Sequence, residues 1–230
     1  MPTHAEIIEW DRHHYWHAFT QMAEYEPLVI ERAEGVWLYD LEGKRYLDGV
    51  SSMWCNLFGH RHPQIDAAVR DQLDRVAHNT SLGMGNSTTA TLARRLAELA
   101  PGDLQHVFFA SDGSSAIEVA LKMAFQYWHQ REDLRPEKTK YVALGQAYHG
   151  DTLGSASVGG IPRFHALFSP LLFEVIRAPS PDFEQSADAS LNQLEEILAE
   201  HHHELAAMVL EPLVQAAAGI VFHPPGYLAG

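Results

Sequence analysis

The chain has 230 residues, 46% of them hydrophobic and 20% charged, the composition of a soluble globular protein. Its net charge of −14 argues against non-specific binding to nucleic acid or an anionic membrane, and no apolar run approaches the ~18 residues that would span a bilayer. The opening residues show no apolar core of a secretory leader, and a single cysteine, Cys55, excludes an internal disulfide and points to a reducing, cytoplasmic setting.

In chain order, residues 34–50 read as a small β-meander turning at Leu41-Glu42-Gly43-Lys44. The stretch 51–62, SSMWCNLFGHRH, is irregular and aromatic, the kind of segment that more often carries function than packing. From Pro63 the texture becomes αβ. A helix carries Ile65, Val69, Leu73 and Val76 on one face, and a second, capped by Asn86-Ser87-Thr88, runs to about Leu99. A strand at 106–110 leads into a long helix, 114–130, and a strand at 140–145 follows. An apolar strand near 171–176, a helix near 188–201 and a strand at 205–211 complete the alternation, and the closing residues 224–230 read as a helix just beginning. Such alternation predicts a mostly parallel sheet with helices on both faces, behind a small N-terminal α+β segment.

His60-x-His62 and His201-His202-His203 stand out among fifteen histidines, but no Cys, His or Asp partner lies at a zinc-site spacing, so no metal site is expected. The turn Ser111-Asp112-Gly113-Ser114-Ser115 joins a strand to a helix N-terminus. There unpaired backbone amides and the positive end of the helix dipole favour an anion, and the hydroxyls of Ser114 and Ser115 can donate to it. It matches neither a P-loop nor a dinucleotide fingerprint, so a monophosphate ester fits best; many such turns only cap their helix. In open α/β sheets ligands sit at the carboxyl ends of strands, and two more such ends hold Tyr148-His149-Gly150-Asp151 and Glu211. A phosphate cradle, a flat aromatic and a carboxylate at neighbouring strand ends suit a flat phosphorylated aromatic cofactor, with pyridoxal 5'-phosphate (PLP) the candidate. Taken singly, Tyr148 reads as a rim aromatic, Asp151 as a turn cap, Glu211 as a surface residue and Trp54 as a loop anchor.

The segments FFASDGSSAIEVALKMAFQYW, AYHGDTLGSASVGG and LEPLVQAAAG, in this order, resemble the class III (omega) aminotransferases. WHAFTQM and WLYDLEGKRYLDGVSSMWCNLFGHRHPQI bring the resemblance to the biotin-pathway branch of that class, and it runs from about Trp10 to Gly230. It implies a type I PLP-dependent transferase fold, with 1–57 as the N-terminal segment of a small domain and 58–230 as the first part of the large PLP-binding domain. It also implies a homodimer with active sites at the subunit interface, near which residues 79–85 would lie. Ser114 and Ser115 are implied to hold the cofactor phosphate, Tyr148 to stack on the pyridine ring, and Glu211 to support the cofactor. Trp54, Tyr148, Phe19 and Asp151 are implied on the substrate side. The implied reaction moves an amino group to 8-amino-7-oxononanoate, giving 7,8-diaminononanoate.

Two departures qualify it. Lys44, Lys122, Lys138 and Lys140 are the only lysines, and none stands in the family's Schiff-base context; the resemblance places that lysine past Gly230, in a longer parent of which this would be a truncated part. Phe19 stands where adenosylmethionine-using relatives commonly carry tyrosine, which leaves the amino donor open between adenosylmethionine and lysine. Another omega-aminotransferase, or a non-catalytic binding module, are the competing expectations.

Overall fold

The computed structural model describes residues 1–181 and 186–230, which fall into two compact units, Met1–Leu99 and Ala100–Gly230. In the first, α1 (His4–His14) opens on a capping box: Thr3 accepts from the Glu6 amide and the Glu6 carboxylate accepts from the Thr3 amide. An antiparallel three-stranded sheet follows, in the order β1 (Ile30–Glu34), β2 (Trp37–Asp40) and β3 (Arg45–Leu47). The meander expected at 34–50 is therefore β2 and β3, and β1 precedes it. Its polar sequence IERAE hid that strand; register with β2 pairs Glu34 with Trp37 and Ala33 with Leu38. Gly43 takes φ +83 in the β2–β3 turn, where Asp40 Oδ1 accepts from the Glu42 and Lys44 amides.

Beyond β3 lies α2 (Ser51–Trp54), one turn whose residues Ser51, Ser52, Met53 and Trp54 have φ of 51°, 48°, 57° and 71°. This is a left-handed turn built without glycine, a conformation that disfavours L-residues by roughly 1–2 kcal/mol each. Right-handed geometry resumes in α3 (Pro63–Arg75), opened by proline at its first position, and α4 (Ser87–Leu99), where Asn86 Oδ1 accepts from the Thr89 amide at 2.8 Å.

In the second unit, α5 (Gly113–Gln130) leads to β4 (Lys140–Leu144), α6 (Leu153–Val158), α7 (Pro162–His165), β5 (Ile176–Ala178), α8 (Ala187–His201), β6 (Leu205–Val209) and a two-strand ribbon, β7 (Val214–Gln215) with β8 (Val221–Phe222). The sheet order is β5-β4-β6, all parallel. The two-residue period of β4 divides the core between the faces. Tyr141 and Ala143 pack with Leu121, Ile117 and Trp128 of α5, whereas Val142 and Leu144 pack with Leu194, Ile197 and Leu198 of α8. Helices therefore cover both faces, as the alternation predicts.

The expected strand at 106–110 pairs with nothing among the described residues and so forms no ladder. Residues 224–230 form turns rather than a helix, because Gly226 at φ +92 leaves the helical region. Among the described residues, no helix is long and apolar enough to cross a membrane.

Candidate functional site

Asp112 caps α5: its Oδ1 accepts from the Ser115 amide and its Oδ2 from the Ser115 hydroxyl, both at 2.8 Å. These donors hold the Asp112 carboxyl below its usual range, the Ser115 amide contributing most. Ser115 is thus committed to the cap. The Ser114 amide also leans on Asp112, but the Ser114 hydroxyl does not: its Oγ accepts from the Asp151 amide at 3.3 Å, which leaves its own proton to be donated. The amides of Gly113 and Ser114, in the first turn, have no carbonyl within the helix to reach. A Cβ on Gly113 would meet nothing within 4 Å, so this end of the helix is open.

The strand-end loop after β4 closes over Ser114. Gly150, at φ +119, lies so tightly against it that a Cβ there would overlap the Ser114 hydroxyl and sit 2.8 Å from its Cβ. The same loop presents Tyr148, whose hydroxyl donates to Asp151 Oδ2 at 2.6 Å. Burial, reinforced by the Asp151 carboxylate, pushes the Tyr148 phenol up to about 12. The ring lies parallel to that of His165 at 6.2 Å and edge-on to Phe164 at 5.8 Å. Glu211 fixes the loop from below: Oε1 accepts from the Tyr148 amide at 2.8 Å and Oε2 from the Ala216 amide at 3.0 Å. Behind it, α6 is held to α5 because Glu118 Oε1 accepts from the Gly154 amide at 2.7 Å, and Arg177 donates to the carbonyls of Ser157, Val158 and Gly159 at the end of α6. His149 lies between Tyr148 and Gly150; burial lowers its pKa, and among the described residues its buried Nε2 has no hydrogen-bond partner.

Ser114, Ser115, Tyr148, Asp151 and Glu211 are therefore brought together in one unit, by a glycine contact and direct hydrogen bonds. Asp151 does not cap the following turn; it takes the Tyr148 phenol. Phe19 and Trp54 belong to the first unit and are 90% and 65% exposed. Phe19, at φ +51, sits in a loop behind which Asp11 accepts from the Tyr25 hydroxyl and His17 Nε2.

The class-III aminotransferase model matches residues 20–230. The chain belongs to the class-III aminotransferases. Among class-III relatives it is 48% identical to the adenosylmethionine-8-amino-7-oxononanoate aminotransferases of Nitratidesulfovibrio vulgaris, over 98% of this chain and 44% of that one, and Geobacter sulfurreducens, over 97% and 52%. The crystal structure of the Methanocaldococcus jannaschii enzyme of that name superposes with TM-score 0.90 at 40% identity, over 98% of this chain and 51% of that one. An (S)-enantioselective omega-transaminase from Thermomicrobium roseum gives 0.87 at 36%, over 99% and 53%. A PLP-bound amine transaminase from an uncultivated Pseudomonas species gives 0.82 at 32%, over 94% and 52%. The fold is that of the transaminases, and the chain spans about half the length of the curated relatives it matches.

Within this class-III chain, residues that sequence reasoning passed over also shape the site. Asp112 was legible, since an Asp two residues ahead of an apolar-striped helix is a cap signal. Glu118 and His165 were not, because their partners lie 36 and 14 or more residues away in the chain.

Proposed function

We propose that this chain forms part of a PLP-dependent aminotransferase of biotin biosynthesis, which aminates 8-amino-7-oxononanoate to 7,8-diaminononanoate as a homodimer. The observation that carries the cofactor reading is the open first turn of α5 with the free Ser114 proton beside it and the Tyr148 loop packed onto it at Gly150. The site's residues fit a phosphorylated ring. The Gly113 and Ser114 amides and the Ser114 hydroxyl are the donors for the phosphate, and Ser115 joins them by turning its hydroxyl from Asp112. Tyr148, raised by Glu211 at its amide and held by Asp151 at its phenol, offers a flat face for the pyridine. Its phenol stays protonated throughout the neutral range, so it donates to Asp151 and adds no negative charge to the ring's surroundings. PLP, when bound, supplies the electron sink that lets an amino group leave one carbon skeleton for another.

Trp54 and Phe19 are assigned to substrate binding. The names of the relatives support the oxo-acid acceptor and adenosylmethionine as donor. Phe19, standing where adenosylmethionine-using relatives commonly carry tyrosine, keeps lysine as the second possibility. The test incubates the whole protein carrying this chain with PLP, 8-amino-7-oxononanoate and either donor, and detects product by mass spectrometry. Formation of 7,8-diaminononanoate is expected. Amination of pyruvate without amination of 8-amino-7-oxononanoate would overturn the reading in favour of another omega-aminotransferase.

A further inference from the structure

The left-handed turn of α2 has a dedicated anchor. Four successive L-residues at positive φ persist only where their surroundings over-determine them, and such conformations gather at functional sites. Two mirror-image helical hydrogen bonds close the turn, Trp54 amide to Val50 carbonyl at 2.8 Å and Cys55 amide to Ser51 carbonyl at 3.0 Å. These would form equally well in other left-handed turns and do not choose this position for it. The choice is made by Asp48. Its Oδ1 accepts from the Ser52 amide at 2.8 Å, and its Oδ2 accepts both the Ser52 hydroxyl at 2.8 Å and His60 Nε2 at 2.7 Å. The Asp48 side chain is only 5% exposed, although the turn it holds is on the surface.

His60 is fixed in turn. Its amide donates to the Gly35 carbonyl at 2.7 Å, and the Gly35 amide donates to the His60 carbonyl at 3.0 Å. Gly59 packs beside this bridge so closely that a Cβ would lie 3.0 Å from the Gly35 carbonyl oxygen. The loop 49–60 is thereby closed at both ends on the meander, and among the described residues the Asp48 carboxylate is the only side chain bonded to both the turn and His60, which closes the loop. What the turn displays is Trp54 and Met53, both more than half exposed. A stack of anchored polar groups that holds an exposed tryptophan in a disfavoured backbone has a purpose in binding rather than in packing.

We propose that Asp48, buttressed by His60, is a positioning residue that holds the α2 turn left-handed and so sets the orientation of Trp54 for the oxo-acid substrate; this rests on the substrate-binding role proposed for Trp54. Asp48 touches no substrate, and its effect passes through the Ser52 amide.

The experiment uses the whole PLP-loaded protein in four forms: wild type, Asp48→Asn, Asp48→Asn with Ser52→Gly, and Trp54→Ala. Two quantities are measured. The first is the rate at which iodoacetamide alkylates Cys55, read on its own peptide by mass spectrometry. Cys55 follows the turn directly, and its thiol leans on the Met53 carbonyl at 3.6 Å, so its reactivity reports the turn without using activity. The second is KM and kcat for 8-amino-7-oxononanoate. Asp48→Asn should raise the alkylation rate several-fold and KM by about ten-fold with kcat within about two-fold of wild type. Glycine at 52 takes positive φ without penalty, so the double variant should regain most of both losses. A general folding defect would lower kcat and would not respond to Ser52→Gly. An unchanged alkylation rate in Asp48→Asn, or a double variant no better than the single one, overturns the proposal. Trp54→Ala with unchanged KM overturns instead the substrate role of Trp54, and the alkylation result distinguishes the two failures.

Discussion

Alanine at position 150 should drive the Tyr148 loop off the N-terminus of α5. Gly150 has φ +119, and a side chain there carries roughly 1–3 kcal/mol of backbone strain. Its Cβ would overlap the Ser114 hydroxyl, which Ser114 can relieve only by leaving its rotamer, at about 0.5–1.5 kcal/mol. Rotation does not remove the contacts at 2.8 Å to Ser114 Cβ and 3.1 Å to its Cα. Those demand a shift of the loop, which stretches the 3.3 Å bond from the Asp151 amide and forfeits about another 0.5–1 kcal/mol. The sum is roughly 2–5 kcal/mol. The slope is about 2–4 °C per kcal/mol for 150–250 residues and about half that for a protein the length of the relatives, so the PLP-free whole protein should melt roughly 2–10 °C lower by calorimetry. Gly113→Ala is the matched control. It stands one residue from the same serine, but its Cβ would meet nothing within 4 Å and its φ is not positive, so it should melt within about 1 °C of wild type. If Gly150→Ala melts like Gly113→Ala, the close approach of the Tyr148 loop to the first turn of α5 is wrong.

Glu211→Gln replaces one acceptor oxygen by an amide donor, so the Tyr148 or Ala216 amide loses its partner; a loss of about 1–3 kcal/mol and a weaker PLP affinity are expected by melting and by titration of cofactor absorbance. In an alkaline spectrophotometric titration, the phenol missing from Tyr148→Phe should be one that ionises near 12. Because that pKa is raised in the folded state, the Tyr148 contribution is complete below the unfolded value of about 10 and fades as pH rises through the folded one. Asp48 runs the other way: the Ser52 amide, then His60, lowers its pKa. Its contribution is present above the unfolded value of about 3.9 and lost as pH falls through the folded value, so the melting gap between wild type and Asp48→Asn should hold from about pH 5 upward and close in stronger acid.

The second unit was largely legible in the sequence. Two of its strands, β4 and β6, are short apolar runs between helices with a clear stripe, and β4, buried on both faces, reads as the continuous apolar YVAL that such a strand requires; the strand expected near 171–176 falls instead at Ile176–Ala178, where Arg177 interrupts the apolar pattern. Its site was legible in part as strand ends: Tyr148 and Glu211 follow β4 and β6, whereas Ser114 follows residues 106–110, which read as a strand in the sequence but pair with nothing among the described residues. The division of labour between the two serines was not: it depends on Asp112 taking Ser115 and on the Asp151 amide reaching Ser114 across 37 residues. The first unit resisted more. The strand β1 carries two glutamates and an arginine in five residues, so neither apolarity nor β-propensity announces it, and it exists because β2 lies beside it. The left-handed turn is the extreme case. SSMW contains no Gly, Asn or Asp to mark positive φ, and the Asp48 carboxylate that selects it is held by His60 from twelve residues away.

The direct test of the central claim, that the first turn of α5 grips a phosphate ester, is to compare the affinities of PLP and of pyridoxal, which lacks the phosphate, for the whole protein and for its Ser114→Ala and Ser115→Ala variants. Two amides and a hydroxyl donating to a dianion should favour PLP by at least about 100-fold, with Ser114→Ala erasing more of that ratio than Ser115→Ala. Equal affinities for the two compounds in the wild-type protein, or a ratio that survives Ser114→Ala intact, would contradict the account.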